Sequence, residues 1–297
     1  MASWMKDNYD HLKNKPINQI IFPGTHDSGA YTVNFKKSMK SYLRLLKLLK
    51  TSTKDWTKTQ DFNIFDQLSK GIRVFDLRLS YREKDNAFYI THTLTCTSLK
   101  DIIEQVTSFT ENHPDEIIIL LLKADWSYRQ SLTVEKRMEA LKLIKNKLNL
   151  IKNTNDFTTY KTLLKEKARI YLFFEGINDD YVWQHNRVVD PWIDTEKVND
   201  KYEFLIEKYQ NMQKNSTNFN ILSFTITPQK NTIIKDIRNR LLKPCWYKKK
   251  SIKTMTSAIQ NKIYEFTLKY KCNKLACFTT DFPTPTFITH IINLNLI

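Results

Sequence analysis

The sequence predicts an α/β fold built on a parallel sheet, for three reasons. Short apolar runs typical of buried strands alternate with segments of helical periodicity, and this alternation indicates parallel strands covered by helices. The length of 297 residues suits one large α/β barrel, which takes roughly 250 residues. The sequence contains no linker rich in Pro, Gly and Ser that would divide it into two domains.

The first predicted strand comprises residues 20–22, and the sequence Pro-Gly-Thr-His-Asp-Ser follows it directly. Pro cannot donate to a sheet ladder and Gly permits an unusual turn, so Pro23 and Gly24 are expected to end the strand. His26 and Asp27 would then lie just past the carboxyl end of the strand, where barrel enzymes hold their catalytic residues.

An insertion follows at about residues 31–63. In its centre, residues 36–50, Met, Tyr and Leu recur at helical spacing on one side, and Lys and Arg occupy the other. This pattern predicts a basic amphipathic helix. Such a helix either lies on an anionic membrane or packs its apolar side on the barrel, and the sequence leaves both arrangements open.

Two further strands are predicted to deliver polar residues to the same end of the sheet. Residues 71–78 form a buried strand with Asp76 and Arg78 near its exit, and residues 88–92 bring His92 there in the same way. Together the three strand ends supply two proton carriers and a fixed cation. These are the groups needed to transfer a phosphoryl group without a metal.

The rest of the chain continues the alternation. Further strands are predicted at residues 116–123, 169–175, 182–183, 220–226 and 275–279. Helices are predicted at residues 98–112, 133–150, 195–211, 254–270 and 284–294, with a basic loop at residues 243–250.

The charge balance suggests an anionic partner. A net charge of +16 is typical of proteins that bind nucleic acid, an acidic membrane surface or phosphorylated substrates, although a general bias towards Lys also explains it. Nucleic acid is disfavoured because the lysines are dispersed and no nucleic-acid motif is present. The polar first 18 residues and the four cysteines without a C-x-x-C pair lead us to expect a soluble, cytoplasmic protein with reduced thiols.

Three motifs carry a resemblance to a known family. Pro-Gly-Thr-His-Asp-Ser-Gly at residues 23–29, Gln-Leu-x-x-Gly-Ile-Arg-x-Phe-Asp-Leu-Arg at residues 67–78, and His92 are similar to the X domain of phosphatidylinositol-specific phospholipase C. Trp4 resembles the Trp that opens the short, X-domain-only members. A further match follows at residues 113–120, and looser matches follow at residues 222–228 and 280–283.

The resemblance implies a TIM-type (β/α)8 barrel, either regular, irregular or incomplete, in which residues 1–297 form a single catalytic domain. It also implies cleavage of phosphatidylinositol to diacylglycerol and inositol 1,2-cyclic phosphate at a membrane surface, by a monomer. His26 would be the general base and His92 the general acid. Arg78 would neutralise the phosphoryl oxygens, Asp27 would support the acid side, and Asp281 would orient the base.

Two further positions would contact the headgroup. Asp76 and Lys123 match this role, although they could instead form a structural ion pair in the barrel mouth. The bacterial enzymes carry an Arg near the position of Glu175, which is acidic here, and their Asp in the sixth-strand region has no clear counterpart. Three residues compete for it: Asp190, Asp194 and Asp200.

The same positions predict that the protein uses neither a metal nor a cofactor. Calcium-dependent relatives place Asn after the first catalytic His and acidic residues at the positions of Asp76, Arg78 and Lys123. This chain has Asp27 after the His and two cations at the last two positions, where a calcium ion would need carboxylates. The pattern therefore resembles the metal-independent bacterial type.

Two alternative functions remain open. The chain could be a catalytically weak lipid-binding or regulatory protein with the same fold, which the intact set of His26, His92 and Arg78 disfavours. It could also be a glycerophosphodiesterase on a related barrel, but those enzymes use clusters of metal-binding acidic residues that are missing from this sequence.

Overall fold

The computed structural model describes residues 1–35, 49–125, 132–154, 156–212, 217–242 and 247–296. The strands are β1 (Phe22–Thr25), β2 (Val74–Arg82), β3 (Ala87–His92), β4 (Leu94–Ser98), β5 (Ile118–Ala124), β6 (Ile170–Phe174), β7 (Val188–Val189), β8 (Phe219–Ser223) and β9 (Cys277–Thr280). The helices are α1 (Trp4–Asp7), α2 (Tyr9–Leu12), α3 (Leu49–Asp55), α4 (Ile64–Ser69), α5 (Leu99–Asn112), α6 (Val134–Lys145), α7 (Tyr160–Leu163), α8 (Val198–Asn211), α9 (Lys230–Leu242), α10 (Ile252–Lys269) and α11 (Pro285–Asn293).

The strands form an irregular TIM-type barrel, as the sequence predicts. Parallel pairing runs from β7 through β8, β9, β1, β2 and β5 to β6. A parallel bridge between Phe173 and Trp183 joins β6 to the segment that leads into β7. The polar residues that follow the parallel strands therefore meet at one end of the barrel.

The first strand differs from its predicted position. Pro23 and Gly24 lie inside β1 rather than ending it. The Pro23 carbonyl accepts a hydrogen bond from the Arg73 amide at 3.0 Å, so Pro23 joins the sheet through its oxygen although it cannot donate. Gly24 is required for close packing, because a Cβ atom there would lie 2.7 Å from the Cys277 sulfur.

The strand that carries His92 also differs. The sequence predicts that it enters the barrel mouth in the same direction as its neighbours, but β3 pairs antiparallel with β2, with Leu79 opposite Ile90. A tight turn ending at Asn86, which has a φ of +48°, leaves room for a hairpin and not for a crossover helix. Because β2 extends beyond the barrel, β3 returns along it and brings His92 back to the level of the mouth.

Among the described residues, five helices have no counterpart among the helices predicted from the sequence: the short α1, α2, α4 and α7, and the longer α9. The helix α9 has a single buried residue, Asp236, while Ile234, Leu241 and Leu242 are exposed. Its apolar residues therefore give no core-facing stripe to recognise in the sequence. By contrast, Ser98 starts α5 with a capping box, and this helix ends at Asn112 as predicted.

The remaining predictions concern the insertion and the membrane. Most of the predicted amphipathic helix, residues 36–48, lies outside the described residues. Only its last two residues, 49 and 50, are described, at the start of α3. Within the described parts of the chain, no helix is both long and apolar enough to span a bilayer.

Candidate active site

A cavity of about 310 Å³ opens at the carboxyl end of the barrel strands. The residues that line it are His26, Asp27, Thr59, Arg78, His92, Lys123, Asp190, Trp192, Asp194, Ile226, Thr227, Pro228, Ile252 and Asp281. All five predicted catalytic residues are in this set. They come from β1, β2, β3 and β9 or from the first two residues after one of these strands, so the barrel assembles the site from both ends of the chain.

His26 lies between two carboxylates at the end of β1. Its Nδ1 is 2.9 Å from Asp281 Oδ1, and its Nε2 is 2.8 Å from Arg78 Nη2. Since a guanidinium only donates, Nε2 must be the acceptor and the proton lies on Nδ1, facing Asp281. The reactive nitrogen therefore presents a lone pair, as a general base requires.

The charges around His26 tune its basicity. Burial lowers its pKa, but the carboxylates of Asp27 and Asp281 outweigh burial, so the net pKa of His26 is raised above the ordinary value. Arg78 opposes this rise. Burial raises the pKa of Asp281, and its contact with His26 works in the opposite direction.

Asp27 lies between the two histidines. Its Oδ2 is 3.3 Å from His26 Nε2 and 3.5 Å from His92 Nε2, and its Oδ1 is 2.6 Å from Arg78 Nε. Burial raises the pKa of Asp27, but Arg78, His26 and His92 lower it by more. The net pKa of Asp27 is therefore below the ordinary value, and the carboxyl stays ionised. With a φ of +43°, Asp27 turns the chain sharply after β1, a conformation that Asp tolerates better than most residues.

His92 is held through its other ring nitrogen. Nδ1 lies 2.7 Å from the carbonyl oxygen of Thr57. A carbonyl only accepts, so Nδ1 carries a proton and Nε2 faces Asp27. Both histidines thus direct Nε2 towards the same carboxylate oxygen from different strands. This arrangement suits a base and an acid acting on opposite sides of one reacting atom.

The two headgroup candidates form an ion pair beside this cluster. Lys123 Nζ is 3.0 Å from Asp76 Oδ1, while Asp76 Oδ2 is 3.5 Å from Arg78 Nη2. Lys123 lines the cavity, whereas Asp76 is buried behind it and holds both cations. Burial lowers the pKa of Lys123, but the Asp76 carboxylate raises it more, so Lys123 keeps its charge.

Three of these residues have the spacing of a metal site. Ligand atoms of His26, Asp27 and Asp76 lie within 4.8 Å of one another. However, Arg78 and Lys123 are paired with the same two carboxylates. A divalent cation at this position would have to displace both positive side chains, so the residues present do not fit a resident metal.

The structure adds residues that the motifs did not identify. The Trp192 ring stacks on the His26 ring with centroids 5.2 Å apart, and the buried Lys201 places Nζ 4.1 Å from the centre of the Trp192 ring. Trp192 follows Asp190 by two residues in a Pro-containing loop, a polar and aromatic pattern that could have marked a binding wall.

The structure distinguishes the three acidic residues that compete for the sixth-strand position. Asp190 and Asp194 line the cavity, and Asp190 accepts a hydrogen bond from Ser223 at 2.7 Å. Asp200 lies on α8, where it is half exposed and pairs with Lys197. Glu175 does not line the cavity and accepts a hydrogen bond from the Ala124 amide.

Comparison with known proteins finds similar sequences. The sequence model of the family described as "Phosphatidylinositol-specific phospholipase C, X domain" matches residues 36–173, a range that includes Arg78, His92 and Lys123. The chain is 26% identical to human PI-PLC X domain-containing protein 2 over 253 residues, covering 80% of this chain and 81% of that protein. It is 24% identical to the zebrafish (Danio rerio) PI-PLC X domain-containing protein 3 over 255 residues, covering 81% and 78%.

Solved structures support the fold. The phosphatidylinositol-specific phospholipase C of Listeria monocytogenes aligns with a TM-score of 0.67 at 20% identity and covers 99% of this chain and 98% of that one. A phosphatidylinositol-specific phospholipase C of Staphylococcus aureus aligns with a TM-score of 0.68 at 18% identity and covers 99% and 97%. The likeness extends over the whole barrel, beyond the range matched by the family model.

Proposed function

We propose that the chain is a phosphatidylinositol-specific phospholipase C X-domain protein and that it cleaves phosphatidylinositol by His–His acid–base catalysis without a metal. One observation carries this proposal. His26 Nε2 and His92 Nε2 both face Asp27 Oδ2, at 3.3 and 3.5 Å, and Arg78 lies with them on the cavity wall. The site takes His26 from the start of the chain and Asp281 from its end, which supports one catalytic domain.

In the first step, His26 Nε2 removes the proton of the inositol 2-hydroxyl. The oxygen then attacks the phosphorus, and a bond forms that closes a five-membered cyclic phosphate. Because the nucleophile belongs to the substrate, it acts at high effective molarity. Asp281 accepts the Nδ1 proton of His26 in a hydrogen bond and stabilises the imidazolium that this step creates.

In the same displacement, the bond from phosphorus to the diacylglycerol oxygen breaks. His92 Nε2 donates its proton to that oxygen, so one proton enters His26 and one leaves His92, and no net charge is lost. Asp27 stabilises the protonated His92 beforehand. When the substrate binds, Arg78 gives up its hydrogen bond to His26 Nε2. Its guanidinium then donates to the non-bridging oxygens, a task suited to its planar fork.

The headgroup would lie against Lys123 and Asp190 on the cavity wall, with Trp192 covering the His26 side. Lys123 would contact ring hydroxyls or phosphate as a cation, and Asp76 would hold Lys123 and Arg78 in place. Metal independence follows from the same cations, since they supply the positive charge that a calcium ion would otherwise provide.

The proposal is tested by diacylglycerol release from phosphatidylinositol vesicles in EDTA, compared with the same vesicles in excess calcium. We expect release in EDTA and no stimulation by calcium at constant ionic strength. Phosphatidylcholine vesicles are the matched control and should remain intact. Release that requires calcium would refute the metal-free mechanism, and absence of release in both conditions would favour the catalytically weak lipid-binding alternative.

We further propose that the protein reaches its substrate by docking on anionic membranes with the rim of the barrel mouth. From the sequence, residues 36–50 and 246–250 are predicted to make this contact. In the described residues, α9 adds exposed Ile234, Leu241 and Leu242 on a helix that also carries Lys and Arg side chains. An apolar surface with basic residues around it is the composition of an interfacial helix.

Vesicle co-sedimentation tests the docking surface. We expect Ile234→Ser with Leu241→Ser to weaken binding to phosphatidylserine-containing vesicles. The matched control is Leu268→Ser, which removes an exposed leucine near the end of α10. If both variants bind as the wild type does, the lipid contact lies elsewhere.

A further inference from the structure

β3 carries His92 to the mouth of the barrel, but the hydrogen bond that orients its ring comes from the insertion. His26 is oriented by a side chain, the Asp281 carboxylate. His92 is oriented by a main-chain atom, the carbonyl oxygen of Thr57, at 2.7 Å. A backbone carbonyl is only as well placed as the segment that carries it, so the position of the catalytic acid depends on what fixes residue 57.

The segment 56–60, which we call the strap, crosses the mouth of the barrel. Besides accepting from His92, it donates from Thr59 Oγ1 to the Asp27 carbonyl at 2.8 Å and from Gln60 Nε2 to the His26 carbonyl at 2.8 Å. Thr57, Thr59 and Gln60 are all buried. The strap therefore touches the base, the acid and the carboxylate between them.

The start of the strap is anchored to α9. Trp56 Nε1 donates to Asp236 Oδ2 at 3.1 Å, and Asp236 Oδ1 accepts from the Lys250 amide at 2.9 Å. Arg240 joins the two elements, with Nε 2.6 Å from Asp236 Oδ2 and Nη1 2.7 Å from Asp55 Oδ2. The two residues directly before Thr57 are thus both tied to one cluster of ionised side chains.

This anchor is not explained by core packing. Asp236 and the side chain of Arg240, which is 8% exposed, are buried on a helix whose other residues are exposed or half exposed. Removing a carboxylate from water costs several kcal/mol, and its ion pair offsets this cost at best, so a buried pair is weak evidence for a stabilising role. Such a group is better suited to fixing one geometry.

We propose that Trp56, Asp236 and Arg240 are positioning residues for the catalytic acid: they hold the Thr57 carbonyl at the place where it orients His92. The inference rests on the proposed function, in which His92 protonates the leaving oxygen. Loosening the start of the strap should therefore impair protonation of the leaving group more than it impairs attack by the 2-hydroxyl, because Asp281 holds the His26 ring and the strap contacts His26 only at its main-chain carbonyl.

The test compares two substrates that differ in their need for an acid. Phosphatidylinositol in detergent micelles has a poor alcohol leaving group, whereas 4-methylumbelliferyl inositol phosphate has a phenol that departs with little protonation. Trp56→Phe keeps an aromatic ring and removes the hydrogen bond to Asp236. We expect kcat to fall at least about tenfold with phosphatidylinositol and to change less than about threefold with the aryl substrate.

Trp4→Phe is the matched control, since Trp4 is also buried and donates from Nε1, to the Gly71 carbonyl at 3.0 Å, away from the site. It should leave the ratio of the two kcat values unchanged. An equal fall with both substrates in Trp56→Phe, or no fall with either, would overturn the proposal, because a general loss of structure does not distinguish between leaving groups.

A second measurement separates this inference from the proposed function. Nitrogen-15 spectra of the histidine rings report the tautomer of His92 whether or not the protein turns over substrate. We expect Trp56→Phe to shift the His92 Nδ1 signal and to leave that of His26 in place. If wild-type protein cleaves neither substrate, the proposed reaction fails, and unchanged His92 signals in Trp56→Phe would refute the positioning role by themselves.

Discussion

Replacing Arg78 with Lys tests whether the positions of its nitrogens matter. Replacing it with an uncharged residue would remove the charge and the geometry together. Arg78 uses two different nitrogens at once, with Nε 2.6 Å from Asp27 Oδ1 and Nη2 2.8 Å from His26 Nε2. A lysine retains the charge but has one nitrogen, so it cannot keep Asp27 in place and also face the phosphoryl oxygens. The variant therefore separates the geometry of the fork from its charge.

The size of the effect follows from the hydrogen bonds that a lysine cannot make. A hydrogen bond to a charged group contributes about 1.5–3 kcal/mol, and Arg78→Lys should remove between one and two of them from the transition state. At about 1.4 kcal/mol for each factor of ten, kcat should fall roughly 10- to 10⁴-fold. The KM should change less, because charge on the oxygens builds up during the reaction.

The assay is steady-state cleavage of phosphatidylinositol in mixed micelles with EDTA present. The matched control is Arg82→Lys, on the same strand, where Arg82 pairs with Asp85 outside the cavity. We expect near wild-type turnover from this control. A kcat for Arg78→Lys within about threefold of wild type would refute the reasoning that two contacts are needed, as would recovery of Arg78→Lys by added calcium.

Other variants of the site and its surroundings give three more predictions. His26→Ala and His92→Ala should each lower kcat at least about 100-fold while the fold stays intact by circular dichroism, and the double variant should be little worse than either single one; wild-type turnover in both single variants would contradict their roles. Asp281→Asn removes a carboxylate that raises the pKa of His26, so the acidic limb of the profile of kcat/KM against pH should move to lower pH; an unmoved limb would argue against this pairing. Burial lowers the pKa of Lys201 from 10.5 to about 8, so the unfolded chain binds more protons between these values and stability should rise with pH there. Lys201→Met should therefore raise Tm at pH 7 and reduce that pH dependence in thermal melts, and equal melting profiles for the two proteins would show that this lysine is not destabilising.

The candidate catalytic residues that line the site could be predicted because each follows from a local pattern. His26, Asp27 and Arg78 lie on or directly after strands that pair in parallel, and such positions meet at one end of a barrel, whereas His92 reaches the same place on the antiparallel β3. The direction of β3 could not be read in the same way. A run of buried residues fits a parallel or an antiparallel strand equally well, and only the short turn at Asn86 decides between them.

The contacts that hold the site residues in place were much harder to predict. Thr57 acts through its main-chain carbonyl, and such a role leaves no signature in the identity of the side chain. Trp56 and Asp236 meet although they are 180 residues apart, and α9 has no apolar face directed at the core. Contacts of this kind depend on the packing of the insertion against the rim, which local periodicity does not determine.

Phosphorus NMR of the water-soluble product at early times, with phosphatidylinositol vesicles, EDTA and wild-type protein, tests the role of His26 most directly. If His26 activates the 2-hydroxyl of the substrate itself, inositol 1,2-cyclic phosphate must appear first, and any inositol 1-phosphate must follow it. Inositol 1-phosphate formed from the outset, with no cyclic signal before it, would mean that water is the nucleophile and would contradict the central claim.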